Sequence, residues 1–104
     1  MKRVTINING KKFPCMPLMG AFLRYKKETG ADYEPTESVT ANCTFLYCCV
    51  QSACNREKVA FDMSLDDFAD SVSLDELKNV SEKMFQSETE GEGETVQRGG
   101  KKKQ

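Results

Sequence analysis

The sequence predicts an α+β domain: an N-terminal β-hairpin followed by about four helices, mostly helical overall, with a disordered C-terminal tail. Three observations predict it. Val4-Thr5-Ile6-Asn7-Ile8 alternates strictly and runs into Asn9-Gly10, a half-buried strand meeting the strongest short hairpin signal. From Pro17 onward apolar residues recur at helical spacing, and two Ser-x-x-acid segments mark late helix starts. Residues 86–104 then carry Val96 as their one large apolar side chain, too little to offset the entropy of ordering. The domains are therefore 1–85, one folded unit, and 86–104, a disordered tail.

Each element has a local reason. Asn-Gly supplies the two positive φ angles of a type I′ turn, so Lys11–Met16 returns as the second strand. Pro14 cannot donate to a ladder and keeps that strand short and at an edge. Pro17 stands where a helix can begin. Leu18, Ala21, Phe22 and Tyr25 share a face, and Gly30 is a ready C-cap, which predicts a first helix over Leu18–Thr29. Ala31–Ser38 reads as a polar loop. Val39, Cys43, Leu46, Tyr47, Val50 and Cys54, widened by Phe45 and Cys49, predict a central helix over 39–55. Val59-Ala60-Phe61 is a short link. Ser64-Leu65-Asp66-Asp67 and Ser73-Leu74-Asp75-Glu76 cap a third helix over 65–71, with Leu65, Phe68, Ala69 and Val72 inward. They also cap a fourth over 74–85, with Leu77, Val80 and Met84 inward and the stem of Lys83 beside them.

Composition excludes more than it names. The chain has 104 residues, a net charge of −1 and no histidine. Without His there is no Ser-His-Asp or Cys-His catalysis in cis and no Cys/His zinc site. There is no Walker motif, no Gly-rich phosphate loop and no Gly-x-Ser-x-Gly. A chain this close to neutral argues against bulk nucleic-acid binding. The neutrality hides a gradient: Lys2–Gly30 has seven basic residues and one acid, Ala31–Phe85 four basic residues and eleven acids, and the tail balances. Two solvated faces, head-to-tail association or a complementary partner all follow from such asymmetry. No leader or membrane-spanning run is visible, so a cytoplasmic protein is expected.

The five cysteines are the feature most open to misreading. Four fall within Cys43–Cys54 and Cys15 stands apart. On one helix, Cys43 and Cys48 diverge by about 140°, so four thiolates cannot converge on one tetrahedral Zn²⁺. The run also lacks the spacing and glycines of a cluster loop. These residues read as small buried hydrophobes, with a Cys-rich metal or redox module as the lesser alternative. Asp62–Glu76 holds six acids and no base. It lacks the central Gly of a calcium loop and reads as helix starts on a solvated face.

The elements Ile6-Asn7-Ile8-Asn9-Gly10, Arg24-Tyr25-Lys26-Lys27-Glu28-Thr29-Gly30 and Met63-Ser64-Leu65-Asp66-Asp67-Phe68 resemble the small tail assembly chaperones of long-tailed phages and prophages. The resemblance covers about residues 3–82. It implies a non-enzymatic cytosolic helper with no cofactor. Such a helper binds the tape measure protein and the tail tube subunit before assembly, is absent from the mature virion, and in many phages also exists in a frameshifted longer form. On that reading Phe22, Tyr25, Phe45, Tyr47, Phe61 and Phe68 are the partner-binding anchors. Lys26, Lys27, Asp66, Asp67 and Asp70 set orientation. No catalytic, cofactor or metal residue is assigned, no nucleic acid or membrane partner is expected, and a homo-oligomer is possible. The alternative from another class is a nucleic-acid-binding or regulatory protein of a mobile element.

Overall fold

The computed structural model describes residues 3–85. The expected tail, residues 86–104, lies outside the described residues. The described chain is a two-stranded antiparallel hairpin followed by four helices. The strands are β1 (Val4–Ile8) and β2 (Lys11–Cys15). The helices are α1 (Met19–Thr29), α2 (Val39–Glu57), α3 (Leu65–Ser71) and α4 (Leu74–Phe85). The predicted α+β class and element order are what the structure has.

The hairpin is built as its sequence requires. Asn9 at φ 54° and Gly10 at φ 81° form the turn, and Ile8 pairs with Lys11, Ile6 with Phe13 and Val4 with Cys15. With a two-residue turn these are the hydrogen-bonded pairs. Thr5↔Pro14 and Asn7↔Lys12 are the alternate pairs, whose N–H groups point away from the partner strand. Pro14 therefore costs the ladder nothing. The outward N–H of Asn7 donates to Glu76 Oε2 at 3.1 Å. Ile6, Ile8, Phe13 and Cys15 turn one face into the core.

Helix ends follow local chemistry, with three departures. Ser38, Ser64 and Ser73 each accept from the backbone N–H three residues on, at 3.2, 3.1 and 3.1 Å. At Ser73 the expected capping box closes only on the serine side, because the Glu76 carboxylate is taken by β1. α1 starts one residue late: buried Pro17 precedes the helix and Leu18 is its N-cap, with no side-chain cap. α1 ends at Gly30, φ 86°, whose N–H reaches Lys26 O at 2.7 Å. α2 runs two residues past the expected Asn55, and Lys58 takes the left-handed cap. Its last residue, Glu57, is held by a bidentate pair from Arg3 at 2.6 and 2.9 Å, an anchor invisible to local pattern.

α2 is the hub. Phe45–Val50 and Ser52–Cys54 are all buried along it. α1 and β2 pack on α2, and α4 bridges α2 and β1. Fully buried Phe45, Phe68, Ile6, Ile8, Leu46, Met84, Val50 and Val80 make the interior, each contributing about 1.5–3 kcal/mol of transfer free energy. Inside faces match expectation except at Ala69, Val39 and Lys83, which are exposed. Val39 is the first residue of α2, where the chain has only just met the bundle. Ala69 neighbours Phe68, the one residue of seven-residue α3 that is fully buried. Lys83 points outward beside buried Met84.

Candidate functional site

The thiols belong to the packing. Cys15, Cys48, Cys49 and Cys54 are buried, Cys43 is half-buried, and all five are free. Burial pushes the Cys48 thiol up to about 11. It pushes Cys49 up strongly, with neighbouring Cys15 adding to the effect, and raises Cys43 and Cys54 as well. A thiol held protonated is a small hydrophobe and a poor nucleophile. Cys15 Sγ lies 3.7 Å from Met84 Sδ inside the core. Among the described residues no group of three or more His, Cys, Asp or Glu is placed to share a metal ion.

The six anchor aromatics do not form one surface. Phe45, Phe68, Tyr25 and Tyr47 are buried, and Phe22 and Phe61 are half-buried. They divide into two ring clusters. Phe22, Tyr25 and Phe45 gather around Tyr33, which stacks on Phe45 at 3.8 Å and 7°. Tyr47, Phe61 and Phe68 gather with Phe13, and Tyr47 also donates to Met63 O at 2.7 Å. Their rings hold α1 and the 59–63 link to α2. Lys26, Lys27, Asp66, Asp67 and Asp70 are exposed. Lys26 lies 3.6 Å from Asp32, and Asp66 and Asp67 occupy the first turn of α3, where carboxylates favour the helix N-terminus.

The surface that is free to meet a partner is elsewhere. Among the described residues five large apolar side chains stay exposed: Met19, Leu23, Val39, Leu74 and Phe85. Three of them, at 48%, 50% and 45% exposure for Val39, Leu74 and Phe85, line a groove between α4, the first turns of α2 and the loop before it. The groove is two adjoining hollows of about 340 and 420 Å³ that share Asn42, Ser81 and Glu82. Leu74, Leu77 and Val39 line one end. Tyr33, Pro35 and Phe85 line the other. The wall is held by Tyr33, whose hydroxyl donates to Asn42 Oδ1 at 2.7 Å, and by Asn42 Nδ2, which donates to Thr36 O at 3.0 Å. Burial raises the Tyr33 phenol, so it stays a neutral donor. Glu37, Lys78 and Glu82 add charge to the lining. Sequence periodicity passes over this groove because Val39 and Leu74 are first residues of their helices and Tyr33 sits in a loop that reads as polar. The one available signal was Tyr33 and Pro35 as bulky residues in that loop.

No family model, no curated protein and no solved structure matches the chain. Among the described residues no helix is long and apolar enough to cross a membrane.

Proposed function

We propose that this chain is a tail assembly chaperone of the long-tailed phage type. On this reading it is a non-enzymatic helper in the bacterial cytoplasm that holds the tape measure protein, and the tail tube subunit with it, until the tail is built, and is left out of the finished virion. The observation that carries the reading is the groove of Val39, Leu74, Leu77, Tyr33, Pro35 and Phe85, a partly unfilled apolar surface on a small domain whose thiols are packed as core. A tape measure protein exposes long helical stripes until the tube encloses them. An apolar groove accepts one face of such a helix through anchors at i, i+3, i+4 and i+7. The resemblance in Ile6–Gly10, Arg24–Gly30 and Met63–Phe68 supports the same reading. In it the buried rings shape the domain, and the groove, not the rings, meets the partner.

The test is co-expression with the tape measure protein of the neighbouring gene, followed by purification through a tag on this chain. The wild type is expected to retain the tape measure protein. Leu74→Asp and Val39→Asp, each placing a charge on an exposed groove residue, are expected to lose at least about tenfold in binding, near 1.4 kcal/mol, with unchanged circular dichroism. Failure of the wild type to retain it, or retention by both variants, overturns the proposal.

A further inference from the structure

Away from the groove, a second hollow of about 220 Å³ is lined by Arg24, Gln51, Cys54, Asn55, Val59 and Phe61. Its donors converge from two helices. Gln51 and Asn55 stand one turn apart on α2 and so share a face, with Arg24 on α1 opposite. Among the described residues Arg24 makes one side-chain hydrogen bond, from Nη1 to Gly20 O at a long 3.3 Å. Among the described residues it has no carboxylate partner within ion-pair distance, and the amides of Gln51 and Asn55 have no side-chain partner. No acid lines the hollow, although residues 31–85 carry eleven acids. Gly20 helps make the room: a Cβ built there would lie 2.9 Å from Arg24 Nη1.

A half-buried guanidinium has five donors in a fixed fork, and most of these are unspent. Such a group is complementary to a planar anion, which it binds through two parallel N–H···O bonds. The hollow offers one positive charge, two side-chain amides to complete the oxygens, and the apolar flanks of Val59 and Phe61 for a short hydrocarbon stem. One charge matches a carboxylate better than a phosphate dianion. We infer that this hollow is a carboxylate-binding subsite that takes the acidic side chain of a protein partner. It is separate from the groove and does not rest on the chaperone reading.

The experiment is an NMR titration of the full-length ¹⁵N-labelled chain at low salt with N-acetylglutamate α-amide, whose one charge is its side-chain carboxylate. Its neutral isostere N-acetylglutamine α-amide and inorganic phosphate serve as parallel arms. The expected result is saturable shifts of the Gln51 and Asn55 side-chain NH₂ groups and the Arg24 Nε–H, in the millimolar range, with N-acetylglutamate α-amide. These shifts are absent with the neutral isostere, and those of Gln51 and Asn55 are at least about tenfold weaker in affinity in Arg24→Gln. Gln51→Glu, which puts a like charge beside the ligand, abolishes the Asn55 and Arg24 shifts and covers the case in which Arg24→Gln fails to fold. Leu74→Asp leaves them unchanged, so this site and the groove fail independently. Any of four results overturns the assignment. These are no shift with N-acetylglutamate α-amide, equal shifts with N-acetylglutamine α-amide, preference for phosphate, or shifts spread evenly over Lys11, Lys12, Lys26 and Lys27.

Discussion

Replacing Gly20 with alanine sets two effects of similar size against each other. Gly20 is the second residue of α1, so the exchange gains at most about 1 kcal/mol of helix propensity. Against it, the new Cβ would stand 2.7 Å from Ser52 Oγ and 2.9 Å from Arg24 Nη1, while Ser52 Cβ is at an ordinary 3.8 Å. The Arg24 end is flexible and swings away cheaply. Among the described residues Ser52 is the one buried polar residue, and its hydroxyl must leave its position or push α2 from α1. Rotamer strain of about 0.5–1.5 kcal/mol, rising to about 1–3 if the helices must part, cancels or exceeds the gain. Gly20→Ala alone is thus expected to be neutral to destabilising by about 2 kcal/mol, whereas in a Ser52→Ala background it stabilises by about 1, a coupling of roughly 1–3 kcal/mol. Urea unfolding followed by helical circular dichroism resolves this, since a slope near 1 kcal/mol/M shifts the midpoint by about 1 M per kcal/mol. Equal stabilisation by Gly20→Ala in both backgrounds would refute the close α1–α2 contact.

Other outcomes follow from the same packing. Phe68→Ala should cost about 3–5 kcal/mol, a large share of the roughly 5–15 kcal/mol of a small domain, and more than Phe61→Ala at its half-buried neighbour; equal midpoints would contradict the burial. Ser64→Ala and Ser73→Ala should each cost about 1 kcal/mol, with faster hydrogen exchange at the Asp67 and Glu76 amides that the hydroxyls now hold. Burial holds the Cys48 thiol at about 11 against an ordinary 9, and Cys49 higher still. Unfolded thiols therefore ionise before folded ones. Stability is fully present below pH 9 and is lost as pH rises toward 11, with a slope of about 1.4 kcal/mol per pH unit for each such thiol. Urea midpoints in reductant across that window check it, and a flat profile contradicts the packing of the thiols.

The local features were legible in the sequence because each is decided within a few residues. Strict alternation and Asn9-Gly10 specify the hairpin, and Ser64 and Ser73 mark α3 and α4 to the residue. What was not legible depends on contacts far along the chain. α2 outlasts its apolar stripe where Arg3, 54 residues away, grips Glu57. Glu76 serves β1, 69 residues away, instead of closing its own capping box. The site suffered most. A helical stripe tells that Phe45 and Phe68 are apolar and face inward together. It does not tell which apolar residues stay partly uncovered, and that exposure, at Val39, Leu74 and Phe85, makes the groove. Gln51 and Asn55 carry no motif, and only the folded approach of α1 gives them Arg24.

A two-stranded ribbon leaves every outward N–H available to a stray strand, and edge-to-edge growth is the ordinary fate of such templates. Here the outward positions are Thr5 and Asn7 on one edge and Lys12 and Pro14 on the other. Asn7 is occupied by Glu76, and Pro14 has no hydrogen to give. Each edge is left with a single usable donor, Thr5 or Lys12, too few to register an incoming strand. Glu76 and Pro14 therefore do by hydrogen-bond subtraction what larger sheets do with covering helices: they let a bare hairpin sit at the rim of a helical domain without seeding a fibre.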